Sequence, residues 1–314
     1  MDERDFSGGG ERVSGGVIPG ADEPAFTVEM PRETPIPVLI AAPHAGRCYP
    51  EAVRARMRDP EYSALRLEDR YTDFLAREIA AATGAALLVA HAPRAMLDLN
   101  RACDDMDWSM VSGGAPRRTR HSVLNRRSRS GLGLVPRRLG GLGEIWKGPI
   151  ARDDLEARIE GIHRPYHAQL AGALETLRDR WGAALLVDLH SMPPLRPRFP
   201  GDRTAEFVLG DRFGASCDPA LAAQGLAYFA RFERRTAHNR PYAGGYILDR
   251  HGAPARAIHA LQLEICRSSY LDARLAETSA RMPAVTRLLT GFLRELGDAV
   301  AALGRSGVLP LAAE

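Results

Sequence analysis

The chain has 314 residues, of which 45% are hydrophobic and 26% charged, and a formal net charge of +3. This is a globular composition with room for one large or two small domains. It is too weakly basic to argue for nucleic acid, and no apolar run approaches the ~20 residues that span a bilayer.

The opening "MDERDFSGGGERVSGG" is acidic and glycine-rich and has no apolar h-region, so it does not read as a secretory signal. Residues 1–24 are expected to be a disordered or loosely attached tail, followed by a single domain over 25–314. "PVLIAAP" (37–43) is the first run that reads as a buried strand, and "HAGRCYP" follows it, with His44 at the strand end and Gly46 permitting a tight turn. An amphipathic helix is expected over 64–82, with Leu65, Leu67, Phe74, Leu75 and Ile79 apolar. "ALLVAHAP" (86–93) is the next strand, followed by Arg94, Asp98, Asn100 and Arg101.

From Pro116 to Arg138 the chain carries eight arginines among glycines and serines. A solvated loop is the plain reading, and a binding loop for an anionic substrate the sharper one. A long helix is expected over 151–180, with Asp153 and Asp154 in the first turn where the helix dipole favours them. Strands "ALLVDLH" (184–190), "EFVLGD" (206–211) and "HALQLEI" (259–265) follow, with helices over 218–231 and 273–303. Strands alternating with helices predict an α/β fold with a largely parallel sheet covered by helices on both faces. The four cysteines are scattered and form no CxxC, which fits a cytoplasmic protein with reduced thiols.

Ligands of open α/β sheets sit at the carboxyl ends of the strands. There the sequence collects His44, Arg94, Asp98, Asn100, Arg101, His190, Glu264 and Arg267. Each has a structural explanation alone, but polar groups converging on one rim are the usual plan of an active site. Two neutral imidazoles and a carboxylate suit zinc with an open fourth position, the carboxylate being Asp69 or Glu68. Asp188 shares a strand face with His190 and is a candidate to orient it, though a structural role fits equally. No GxSxG elbow and no Walker A loop are present, and no GxGxxG follows a strand.

The segments "PHAGRCYP", "DRYTDFLA", "PRAMLDLNR", "GLGLVPR", "RPYHAQL", "LLVDLHSMP", "NRPYAGGYI" and "LQLEICRSSY" occur in an order that resembles the N-formylglutamate amidohydrolase family over about residues 36–272. That family is similar to the zinc-carboxypeptidase-like hydrolases, including aspartoacylase. The resemblance implies a mixed, mostly parallel sheet flanked by helices on both faces and one zinc per chain, held by His44, His190 and Asp69, with Glu68 the alternative. Arg47 stands where the carboxypeptidase pattern has its glutamate, so the third ligand must come from elsewhere. The resemblance further implies Glu264 as general base and Arg94 as the group that polarises the scissile carbonyl. Asn100 and Arg101 would grip the substrate carboxylate. Ser191, Asn239, Tyr242, Gly244 and Gly245 would also bind substrate, the last four in a loop over the pocket.

The activity so implied is zinc-dependent hydrolysis of the N-formyl bond of an acidic amino acid such as N-formylglutamate. Another N-acyl-amino-acid deacylase, a carboxypeptidase-like peptidase, and a non-catalytic binder of acyl amino acids are the rival readings. A small-molecule substrate, no nucleic acid, no membrane, and a monomer or homodimer complete the expectation.

Overall fold

The computed structural model describes residues 10–115, 127–197, 199 and 201–307. In chain order the strands are β1 (Glu11–Gly15), β2 (Phe26–Met30), β3 (Val38–Ala42), β4 (Ala86–Ala90), β5 (Arg138–Leu139), β6 (Gly143–Glu144), β7 (Ala184–Met192), β8 (Phe207–Gly210), β9 (Thr236–His238) and β10 (Ile258–Cys266). The α-helices are α1 (Glu51–Arg56), α2 (Pro60–Leu67), α3 (Thr72–Thr83), α4 (Arg152–Arg158), α5 (Arg164–Trp181), α6 (Pro219–Arg231), α7 (Tyr246–His251) and α8 (Met282–Gly307).

Eight strands form one sheet in the order β1-β2-β4-β3-β7-β10-β8-β9. Its centre, β4-β3-β7-β10, is parallel throughout. β1, β2 and β8 join antiparallel, and β9 pairs parallel with β8. Every residue of the four central strands is buried, as expected of largely apolar runs in a sheet that helices cover on both faces. The strand period of two separates the cores. Val187, Leu189, Leu261 and Leu263 pack with Leu75 and Ile79 of α3, Phe229 of α6, and Phe292 and Leu296 of α8. Leu186 and Ala260 point the other way, into a cluster with Tyr166, Leu170 and Leu174 of α5 and Ile247 of α7. Carrying the same alternation onward places Asp188, His190, Gln262 and Glu264 on the α5–α7 face.

The structure departs from the sequence reading in four places. The expected tail is structured from residue 10 onward: β1 pairs with β2, and Ile18 is fully buried. That pairing covers the edge of β2, and the core contact of Ile18 supplies the apolar burial that a tail lacks. The helix expected over 64–82 is two helices broken at 68–71, and Phe74 is 45% exposed rather than core. The break is tertiary in origin, since the Asp69 amide donates to the His44 carbonyl at 2.9 Å instead of closing a helical turn. The long helix at 151–180 is nearly continuous but carries a π-helical turn over Ile159–His163. The last helix starts at Met282 rather than 273.

Residues 116–126 of the arginine-rich segment lie outside the described residues. Further on, Arg137 pairs with Asp107 and Glu144, and Arg138 with Glu144. Among the described residues no helix is long and apolar enough to cross a membrane.

Candidate active site

Three segments deliver the centre. β3 ends just before His44, β7 carries His190, and the break between α2 and α3 presents Asp69. All three residues are buried, at 2–3% exposure, and their ligand atoms lie within 4.8 Å of one another. Asp69 Oδ2 is 3.0 Å from His190 Nδ1 and 3.5 Å from His44 Nδ1. Both imidazoles therefore turn Nδ1 inward. His44 Nδ1 is buried without a hydrogen-bond partner.

The outer ring atoms meet carboxylates. His44 Nε2 lies 2.7 Å from Asp98 Oδ1, and His190 Nε2 lies 2.9 Å from Asp188 Oδ2. The first contact is an aligned hydrogen bond; the second has the distance but not the alignment of one. Carboxylates behind metal-binding imidazoles fix the ring and its tautomer. Asp98 is itself held by Arg94 Nε at 2.9 Å and by the Asn100 amide at 2.9 Å.

The electrostatics favour a positive charge at the centre. Burial alone would raise the Asp69 carboxyl, but His190 and His44 hold it well below the usual carboxylate range. Burial would likewise raise Asp98, and Arg94 and His44 hold it well below. Burial opposes charge on His190, yet Asp188 and Asp69 raise its pKa well above the ordinary value. An unpartnered, inward-facing imidazole nitrogen beside a second one and a carboxylate oxygen is a donor set that fits zinc.

Glu264 stands across from His190 in the β7–β10 register, and Gln262 across from Asp188. Burial, opposed by His190 and reinforced by Asp69, pushes the Glu264 carboxyl up to about 7. Gln262 donates to Glu264 Oε1 at 2.9 Å. Asn100 Nδ2 lies 3.4 Å from His190 Nε2 and from Gln262 Oε1, and its Oδ1 accepts from the Ile247 amide in the first turn of α7. A Cβ on Gly245 would come 2.5 Å from Asn100 Oδ1, so this approach needs glycine. Gly46, read as a turn residue, is needed instead because its Cβ would lie 2.1 Å from the Ala92 carbonyl oxygen.

Arg101 gives Nε to the Leu132 carbonyl and Nη1 to the Asn100 carbonyl, with 14% of its side chain exposed. Asn239 is taken up locally: its Oδ1 accepts from the Asp211 and Phe213 amides and its Nδ2 donates to Asp211. It shapes the start of the 239–245 loop. Tyr242 in that loop is half-buried, and burial followed by the charges of Glu264 and Asp69 pushes its phenol up. Gly244 adopts φ +105°. Glu68 turns away from the centre, toward Arg70 at 3.2 Å. Arg47 pairs with Asp73 at 2.8 Å and faces an open cleft of about 380 Å³ that the catalytic candidates do not line.

Arg267 belongs to the strand-end polar groups of the sequence but has no role assigned there, and Gln262 is not among the candidates. Arg267 is 5% exposed and donates to Asp69 Oδ1 at 3.1 Å and to Ser191 Oγ at 3.1 Å. Its position directly after the Glu264 strand was the available signal.

The pattern of the family described as N-formylglutamate amidohydrolase matches residues 36–271. The chain is 34% identical over 248 residues to an N-formylglutamate deformylase of Pseudomonas putida, covering 76% of this chain and 82% of that one. To the N-formylglutamate deformylase of Pseudomonas aeruginosa it is 33% identical over 276 residues, 86% and 94% of the two chains. The crystal structure of an N-formylglutamate amidohydrolase from Ralstonia eutropha superposes with a TM-score of 0.77 at 29% identity, covering 90% of this chain and 99% of that one.

Proposed function

The chain belongs to the N-formylglutamate amidohydrolase family, and on that premise we propose that it hydrolyses the N-formyl amide bond of N-formylglutamate, with one zinc ion per chain. The observation that carries this reading is the gathering of His44, Asp69 and His190 within 4.8 Å, next to a buried carboxyl poised near neutrality.

His44 and His190 would hold the ion through Nδ1 and Asp69 through Oδ2. A bound zinc would supply Lewis acidity and a lower water pKa at this point. Glu264 then takes a proton from the attacking water. Its pKa of about 7 leaves it partly ionised at neutral pH and a competent acid afterwards, so the same group passes the proton to the departing amine. Arg94 is anchored through Nε to Asp98, which leaves the Nη side of its fork to donate to the developing oxyanion.

Arg101, next to Asn100, is the clamp for a substrate carboxylate, which a planar guanidinium matches. Asn239 and Gly244 shape the loop, Gly245 lets it close on Asn100, and Tyr242 brings a phenol, kept neutral by burial and by the charges of Glu264 and Asp69, to contact substrate. Ser191 lies at the same rim.

A panel of N-formyl and N-acetyl amino acids, assayed with zinc and after chelation, tests the reading. The expected result is preferential turnover of N-formylglutamate that chelation abolishes and zinc restores. Turnover undiminished in metal-free protein would overturn the cofactor, and preference for an N-acetyl or neutral substrate would overturn the substrate.

A further inference from the structure

We infer that Arg267 is a positioning residue for the metal centre, dividing the two oxygens of Asp69 so that Oδ2 alone serves the ion. The inference rests on the zinc reading given above.

The argument begins with the broken helix. In an unbroken helix the Leu65 carbonyl would receive the Asp69 amide, four residues on. That amide goes to His44 instead, so the Leu65 carbonyl loses its partner. Arg267 Nη1 fills the vacancy at 3.1 Å, and Nη2 donates to the Glu68 carbonyl at 2.5 Å. The same Nη2 reaches Asp69 Oδ1 at 3.1 Å, and Nε reaches Ser191 Oγ at 3.1 Å. Ser191 Oγ in turn lies 3.3 Å from Asp69 Oδ1.

One guanidinium from the end of β10 thus joins the end of α2, the Asp69 carboxylate and strand β7. Oδ1 is occupied by Arg267 and Ser191, while Oδ2 faces the Nδ1 atoms of both histidines. At 5% exposure the arginine needs a counter-charge, and Asp69 supplies it. The arrangement uses the fixed fork of five N–H donors, and a lysine ammonium cannot span the same acceptors.

The test measures zinc affinity by competition with a chromophoric chelator, with circular dichroism as the fold check. Folded Arg267→Lys should bind zinc 10- to 100-fold more weakly, the usual effect of losing a group that orients a ligand. Ser191→Ala, which removes the other donor to Oδ1, should bind several-fold more weakly. Arg70→Lys, which alters an arginine paired with Glu68 and Glu277 and not with Asp69, should keep wild-type affinity.

Wild-type protein that takes up no zinc overturns the metal reading and this inference with it. Wild-type affinity in folded Arg267→Lys overturns the inference alone, as does an equal loss in Arg70→Lys. Should Arg267→Lys not fold, Ser191→Ala decides, and unchanged affinity there refutes the proposed role.

Discussion

Glu264 stands directly across from His190 in the parallel register of β10 on β7, so the proposed base and a proposed ligand leave the sheet side by side on one face. Strand pairing, rather than loop conformation, sets their spacing. Glu264→Gln keeps the shape and the neighbouring Gln262 but cannot accept the proton. It should retain zinc and fold and lower kcat by ~10²-fold or more, as loss of a general base does. Elemental analysis and steady-state kinetics on one preparation check it. A near-normal rate in metal-replete protein would reduce Glu264 to a strand residue.

The ligand set has its own ordering of effects. His44→Ala and His190→Ala each leave two donors and should lose stoichiometric zinc. Asp69→Asn should weaken zinc binding strongly, since its Oδ2 faces both imidazoles. Glu68→Gln should change it little, because the Glu68 carboxylate pairs with Arg70. Elemental analysis of the four purified variants reads this directly, and a reversed order of Asp69 and Glu68 would exchange their roles.

The central strands were legible because each is a short, largely apolar run bounded by turn formers, the pattern of a sheet covered on both faces. His44 and His190 were legible as polar residues at the ends of such runs. β1 and β2 were not: "ERVSG" and "FTVEM" are short segments carrying charges, and pairing with each other and with β4 makes them strands. The break at 68–71 was hidden for a related reason. Propensity there favours one helix, and the Asp69–His44 bond that ends it joins residues 25 positions apart. Arg267 and Asn239 show the same limit. A guanidinium shared among Leu65, Glu68, Asp69 and Ser191, and an amide closed on Asp211, are relations between distant segments that local pattern does not encode.

Arg101→Lys should impair substrates bearing a carboxylate far more than their amides. Two backbone carbonyls accept from Nε and Nη1 of Arg101, so the guanidinium is held in one direction before substrate arrives. A lost bidentate charged contact costs on the order of 2–3 kcal/mol, or roughly 30- to 150-fold in kcat/KM. Carboxylate and amide forms of one N-formyl substrate, compared on wild type and variant, isolate that factor. An equal, modest loss for both would mean that Arg101 braces the 98–101 turn without reading the carboxylate.

Acid sensitivity should come in part from three histidines behind that turn. His163 Nε2 lies 2.8 Å from the Arg101 carbonyl oxygen, His167 Nε2 3.0 Å from the Leu99 carbonyl oxygen, and His167 Nδ1 2.9 Å from His251 Nε2. Burial pushes His163 down to about 4 and His251 to about 3, and it holds His167 well below its ordinary value. Folded protein therefore keeps these rings neutral at pH values where the unfolded chain, near 6.5, takes up protons. The stabilisation is complete above about pH 6.5 and is lost as pH falls from there toward 4 and then 3. Within that window each such histidine contributes a slope of ~1.4 kcal/mol per pH unit. Urea unfolding at pH 7 and pH 5 should show the loss, and His251→Gln, which removes one ring from the linkage, should show a smaller one. An equal pH dependence in His251→Gln and wild type would mean that His251 is charged in the folded protein or does not govern its acid stability.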